Sequence, residues 1–309
     1  VISDQLLVNN HQKSLKNMSQ YRIVTYNILS SSLADPDYYT SCNSQNLKSE
    51  IRLERIFAKL TPEIANKALI CLQEVSILWA GELHRFFLKN NYYFITALYG
   101  TKKNGYMGVG FAFPLSEYSL EELKIERIAD LRQWPKISLF EVWGRNLLHN
   151  ITKKMGLKTI NRDHPFSYAK SRLNQWIFAR LNHRETNQNL IVANYHMPCA
   201  FFAPQVMTLH ALMVIQRLQK LAKNDPFVLA GDFNITPNNP QYQLITTGIL
   251  DPNNAAYPRK IQDDSWQLKL DFPLRSAYRE ILGKEPDLTN YSQVKNKETF
   301  ISTLDYIWL

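Results

Sequence analysis

A chain of 309 residues, 45% hydrophobic and 20% charged, can bury a large core and is long for one domain but short for two. Lysine and arginine outnumber aspartate and glutamate by 36 to 27, leaving +9 at pH 7 with a pI near 9.3, which favours polyanionic partners such as RNA or another nucleic acid. The three scattered cysteines, Cys42, Cys71 and Cys199, form no CxxC pair and suggest neither a disulfide framework nor a zinc site, so an intracellular, reducing compartment is expected. No apolar run approaches the roughly 18 residues that cross a bilayer, and no membrane insertion is expected.

Residues 1–18 read as a polar N-terminal tail, with a folded domain over 19–309. Tyr21–Leu29, β-branched and aromatic, predicts a strand. Leu53, Ile56, Phe57 and Leu60 then recur at helical spacing, and Thr61-Pro62 is expected to end that helix. Ala68–Glu74 reads as a buried strand, and Trp79, Leu83, Phe86 and Phe87 as a second helical stripe. Strands return in "YYFITAL" and "VGFAF". The stretch at about 131–165 interrupts this alternation and reads as a basic insertion, with Arg132, Lys136, Arg145, Lys153, Lys154, Lys158 and Arg162 set among Trp134 and Trp143. Basic side chains beside indoles could grip single-stranded nucleic acid; equally, Trp143, Leu147, Ile151 and Met155 could be the buried stripe of a surface helix. "QWIFARL" and "NLIVANYH" then predict neighbouring strands joined by a polar turn, before a long helix from about Gln205 to Ala222. "PFVLAGDFN" is a short strand running into acid and amide. Asn239-Pro240 opens a helix that Gly248 closes.

Polar residues gather at the ends of the apolar strands: Asn27, Glu74, Asn194 with His196, Asp232 with Asn234, and Asp305. In open α/β sheets, ligands bind outside strand ends, where such residues converge from distant parts of the chain. The two-residue offsets Asn194/His196 and Asp232/Asn234 would aim each pair at one bound group, because residues i and i+2 of a strand share a face. Glu74 follows "LICLQ", where a buried carboxylate requires a cation or hydrogen-bond donors. An all-oxygen set of this kind suits magnesium or manganese; a nearby histidine can donate to a phosphate, and a buried aspartate can orient or deprotonate water. Each signal alone has an ordinary structural reading, Glu74 as a helix cap or arginine partner and His196 as a satisfied core histidine. The ordered conjunction is that of a phosphodiester hydrolase.

In order, "VTYNIL", "CLQEV", "GVGFAF", "NYH", "LAGDFN" and "STLDYIW" resemble the endonuclease/exonuclease/phosphatase (DNase I-like) family over nearly the whole chain, Tyr21 to Leu309. The wording of "TYNIL" and "LDYIW" is most similar to its deadenylase and nocturnin branch. The resemblance implies an α/β fold, a four-layer α/β sandwich of two facing mixed β-sheets flanked by helices, and a magnesium-dependent phosphodiesterase acting on RNA, a 3′ exonuclease of deadenylase type. By the same resemblance Glu74 and Asn27 would be the metal residues and His196 would contact the scissile phosphate. Asp232 would align or activate water, with Asn234 holding it, and Asp305 would orient a partner histidine. Asn194, Arg172, Asn174 and Phe300 would contact substrate, Phe300 having core packing as its alternative.

Two departures qualify the transfer. "AKSRLNQWIF" stands where the branch has an Arg-Asp-Asn segment, and "HMPCAFFAPQVMTLH" differs from the usual loop after the histidine. The family also carries a Ser-Asp-His motif beyond the strand of Asp305, so either the polypeptide continues or the protein is a catalytically reduced member. In the second case it would serve as an RNA-binding subunit of a ribonucleoprotein assembly. A DNA endonuclease or a phosphatase on the same scaffold is a further alternative.

Overall fold

The computed structural model describes residues 4–9, 20–156, 164–259, 266–295 and 297–309. In chain order the elements are β1 (Asp4–Asn9), β2 (Gln20–Asn27), α1 (Ser49–Ala65), β3 (Leu69–Val75), α2 (Ile77–Lys89), β4 (Tyr92–Leu98), β5 (Gly108–Pro114) and β6 (Tyr118–Arg127). They continue with α3 (Leu139–Lys154), α4 (Pro165–Ser171), β7 (Gln175–His183), β8 (Gln188–Tyr195), α5 (Pro204–Ala222), β9 (Phe227–Asp232) and α6 (Pro240–Thr247). The last are α7 (Ala277–Leu282), β10 (Asn290–Ser292), β11 (Phe300–Ser302) and β12 (Asp305–Trp308). The strands form two five-stranded sheets, in the orders β1-β2-β3-β5-β4 and β12-β9-β8-β7-β6, with β10-β11 as a separate hairpin. Both sheets are mixed: β2/β3 and β8/β9 pair in parallel, their other neighbours antiparallel.

Burial on both faces explains why the strands read as continuous apolar runs rather than alternating ones. In β3, Leu69 and Cys71 face inward with Phe111 and Ile95, against Ile177, Val192, Ala230 and Ile307 of the second sheet. Ile70 and Leu72 face outward onto Ile56 and Leu60 of α1 and Trp79, Leu83 and Phe87 of α2. The outer face of the second sheet is covered by α5, which buries Leu209, Leu212, Val214, Ile215 and Leu218. Helix, sheet, sheet and helix are thus the four layers expected.

Three expectations are corrected. Within the segment read as a polar tail, residues 4–9 pair antiparallel with β2, from Asp4 opposite Thr25 to Asn9 opposite Gln20. The apolar run Leu6-Leu7-Val8 is too short to signal a strand, and edge pairing is carried by backbone rather than periodicity. Pro62 does not end α1, which runs to Ala65. The last turn is anchored by Glu63, whose carboxylate accepts Arg22 Nε at 2.7 Å, and the Thr61 hydroxyl donates to the Phe57 carbonyl at 2.8 Å. Finally, the stripe on α3 does not pack: Trp143 and Met155 are each 66% exposed, and Leu147 and Ile151 over 40%. Leu131, Trp134 and Ile137, just before the helix, do pack on the core, but α5 already covers the sheet face. A capping box between Ser138 and Glu141 starts α3 without it. Lys158 and Arg162 of the insertion lie outside the described residues.

His210 on α5 is fully buried. Its Nε2 lies 3.0 Å from the Ala169 carbonyl, which can only accept, so the proton sits on Nε2 and Nδ1 accepts the Tyr195 hydroxyl at 2.8 Å. Burial, reinforced by Arg172 and Arg127, lowers its pKa from 6.5 to about 4, against the opposing pull of the Ala169 carbonyl. Because the unfolded chain takes up this proton first, the contribution is complete above pH 6.5 and is lost as pH falls toward 4, on the order of 3 kcal/mol in all. Urea unfolding at pH 7.5 and pH 4.5 should therefore show a smaller acid loss in His210→Gln than in wild type. Equal losses would remove His210 from the account.

Candidate active site

β2, β3 and β9 deliver their terminal polar side chains to one cleft. Glu74 sits in β3 at φ +60°, where the register with β5 slips between Gln73 and Val75. Left-handed backbone is unfavourable for a glutamate, and the bulge re-aims its carboxylate out of the ladder. Asn27, at the end of β2, donates from one Nδ2 to Glu74 Oε1 and to Asp232 Oδ2, both at 2.9 Å. Its Oδ1 accepts the Leu29 amide at 2.9 Å. The second Glu74 oxygen accepts the Ser30 amide at 3.0 Å. The 28–30 loop that supplies this amide is clamped by Arg52 of α1, whose guanidinium donates to the carbonyls of Ile28 at 2.8 Å, Ser30 at 3.3 Å and also Leu29.

Asp232 ends β9. Its Oδ1 accepts the Asn234 amide at 2.8 Å, and Oδ2 lies 3.7 Å from His196 Nε2. Burial pushes its carboxyl above the usual range, with Glu74 adding to that rise and His196, Asn27 and the Asn234 amide opposing it. The residue before it must be glycine: Gly231 has φ +149°, and a Cβ there would fall 1.8 Å from the Tyr195 carbonyl oxygen. Asn234, at φ +52°, donates to the Met197 carbonyl at 3.0 Å, tying the exit of β9 to that of β8. His196 is held through its carbonyl, which accepts Asn174 Nδ2 at 2.8 Å. Its Nδ1 is buried without a hydrogen-bond partner among the described residues.

The structure thus brings together Asn27, Glu74, His196, Asp232, Asn234 and Asn174. Asp305 lies beside them, directly opposite Asp232 in the β12/β9 register, with Oδ2 accepting the Thr289 hydroxyl at 2.7 Å. Asn194 does not join the cleft, contrary to the expectation of a substrate contact. It is fully buried between the sheets, accepts Gln73 Nε2 at 2.9 Å and donates to the Leu72 and Gly110 carbonyls at 2.9 and 2.7 Å. Its oxygen and both amide protons are engaged across the inner core. Arg172 is half-buried, its guanidinium 4.4 Å over the Tyr168 ring and its Nε buried without a partner among the described residues. Phe300 is 41% exposed on β11, so core packing does not describe it. The sequence carries no signal for Arg52, Ser30 and Tyr99, which the structure adds to the site. Tyr99 is half-buried, its phenol raised by burial and then by Glu74 and Asp232, and its hydroxyl is within 3.5 Å of Asn174 Nδ2.

Glu74 and Asp232, 9% and 5% exposed, share a single amide donor, and Arg52 beside Glu74 is committed to carbonyls. Such a site has excess buried negative charge and oxygen donors. No group of three histidine, cysteine, aspartate or glutamate side chains converges as a closed metal cage among the described residues. An open carboxylate-and-amide set of this kind fits a hard cation that keeps several waters, not structural zinc.

A model of the endonuclease/exonuclease/phosphatase family matches residues 24–309. The chain belongs to this family. Among relatives, the CCR4-Not complex 3′-5′-exoribonuclease subunit Ccr4 of Candida albicans is 25% identical over 306 residues, covering 93% of this chain and 36% of that protein. Carbon catabolite repressor protein 4 homolog 1 of Arabidopsis thaliana is 23% identical over 333 residues, covering 94% of this chain and 50% of its own length. This member of the family therefore spans about a third to a half of those relatives. Solved structures share the fold, among them the following two. The 2′,3′-cyclic phosphatase ANGEL2, in complex with adenosine-2′,3′-vanadate, has a TM-score of 0.65 at 20% identity, covering 93% of this chain and 82% of its own. The human nocturnin catalytic domain with bound sulfate has a TM-score of 0.58 at 19% identity, covering 93% and 80%. The family and its deadenylase and nocturnin branch, expected from the motifs, agree with these similarities. No helix among the described residues is long and apolar enough to cross a membrane.

Proposed function

We propose that the protein is a divalent-metal-dependent phosphodiesterase acting on RNA, cleaving from the 3′ end. The observation that carries this reading is the junction of Glu74, Asn27 and Asp232 through one amide, with His196 Nε2 3.7 Å from the same Asp232 oxygen. A magnesium or manganese ion held by Glu74 with Asn27 would neutralise phosphate oxygens and the charge developing on the leaving oxygen. The chain's own groups then divide the remaining work. Asp232 Oδ2 takes a proton from the attacking water as the new oxygen–phosphorus bond forms and the bond to the leaving sugar oxygen breaks. His196 donates to a non-bridging phosphate oxygen. The Asn234 amide fixes the Asp232 rotamer, and Asn174 fixes the His196 backbone. Asp305, opposite Asp232, adds negative charge at the cleft rim.

Incubation with poly(A), mixed RNA, 2′,3′-cyclic-phosphate-ended RNA, abasic DNA and phosphoinositides, each with magnesium or with chelator, tests the reading. Stepwise shortening of RNA that stops with chelator is the expected result. Hydrolysis confined to phosphoinositides or abasic DNA would replace RNA as substrate. RNA binding without any hydrolysis would favour the ribonucleoprotein-subunit alternative.

A further inference from the structure

The basic insertion leaves two cavities that the catalytic site does not use. One, of about 210 Å³, lies between the start of the insertion and α5 and is lined by Arg132, Arg217, Lys220 and Trp266 among others. The other, of about 420 Å³, is bounded by Trp134, Lys136, Phe166 and Lys170. No acidic side chain lines either one among the described residues. The wall between them is held by stacking and by hydrogen bonds. Arg132 lies 4.9 Å over Trp134, 5.4 Å over Phe166 and 4.2 Å over Trp266. The Trp134 indole donates to the Ala129 carbonyl at 2.7 Å, and Trp266 donates to Gln216 at 2.8 Å. Lys136, Lys170 and Lys220 are exposed.

A short run of chain, from Lys170 at the second cavity to Asn174 at the cleft, joins the two regions. Asn174 holds His196; two residues earlier Arg172 stacks on Tyr168 with its Nε buried and unpartnered among the described residues. The Tyr168 ring is 5.7 Å from that of Phe202, and Lys170 projects from the same short helix into the second cavity. Exposed lysines beside half-buried arginine–aromatic stacks are the chemistry that holds the phosphate backbone of a strand without reading its sequence. We infer that the Arg172–Tyr168 stack and the two cavities around Trp134 form an extended site for a single strand of nucleic acid leading away from His196. The inference takes from the proposed function only the placement of a scissile phosphate at His196, and it makes the substrate a strand rather than a mononucleotide.

The test is fluorescence anisotropy in chelator, so that binding is read without hydrolysis, with labelled RNA and DNA strands of about three and about twelve nucleotides. The advantage of the longer strand over the shorter should shrink at least tenfold in Lys136→Glu/Lys170→Glu. It should change less than twofold in the charge-matched Lys59→Glu/Lys89→Glu. The salt dependence of long-strand binding should flatten in the first pair alone. Equal losses in both pairs, no loss in the first, or competition by duplex as effective as by single strand would each overturn the inference. If the Lys136/Lys170 dependence holds while no nucleic acid is hydrolysed in magnesium, the strand site stands and the phosphodiesterase reading falls. Separate RNA and DNA titrations show whether the 2′-hydroxyl contributes.

Discussion

Glu74→Gln should lower RNA hydrolysis by on the order of 10³-fold or more, because it removes the negative charge around which the cleft is arranged while keeping the side chain's size. Calorimetric titration with magnesium or manganese should show a matching loss of affinity, an effect separate from turnover. The fold should survive. Gln73 and Val75 on either side remain buried in β3, and glutamine can still accept from Ser30 or Asn27, one of the two donors that now face the carboxylate. Wild-type hydrolysis by this variant, in a preparation that shortens RNA at all, would remove Glu74 from the chemistry.

Asp232→Asn should lower turnover by about 10³-fold, within the range for loss of a positioned base, yet leave unfolding free energy at neutral pH within about 1 kcal/mol of wild type. The two effects separate for a physical reason. Burial opposes ionisation of this carboxyl, so exchanging it for a neutral amide relieves desolvation, while one hydrogen bond, from Asn27 or Asn234, is lost. Parallel kinetics and urea denaturation of one preparation check both halves. A stability loss of several kcal/mol would mean that the inactivity reports unfolding instead of lost proton transfer.

The strand ends are legible because apolar runs closing on an acid or amide are rare and physically costly; the side chains of Asn27, Glu74, His196 and Asp232, with the Asn234 amide, converge in one cleft. Asn194 shows the limit of this signal. Periodicity states that Asn194 and His196 share a side of an ideal strand, but β8 ends at Tyr195 and is buried on both faces. Nothing in the alternation tells the cleft from the space between sheets. Arg52 carried no signal because its role depends on three carbonyls of a loop more than twenty residues away, a contact created only by tertiary folding. The insertion was ambiguous for another reason. Its apolar spacing is that of a packed helix, but whether a partner face is free depends on α5, some sixty residues further on.

The amide of Asn194 also fixes how the groove can breathe. It stitches Gln73 and two main-chain carbonyls of one layer to the strand of the other, and sliding the layers by even one position would strand several dry donors and acceptors at about 1–3 kcal/mol each. The floor of the groove is therefore stiff, and admission of a substrate or release of a product falls to the loops above it, not to a shift of one layer over the other.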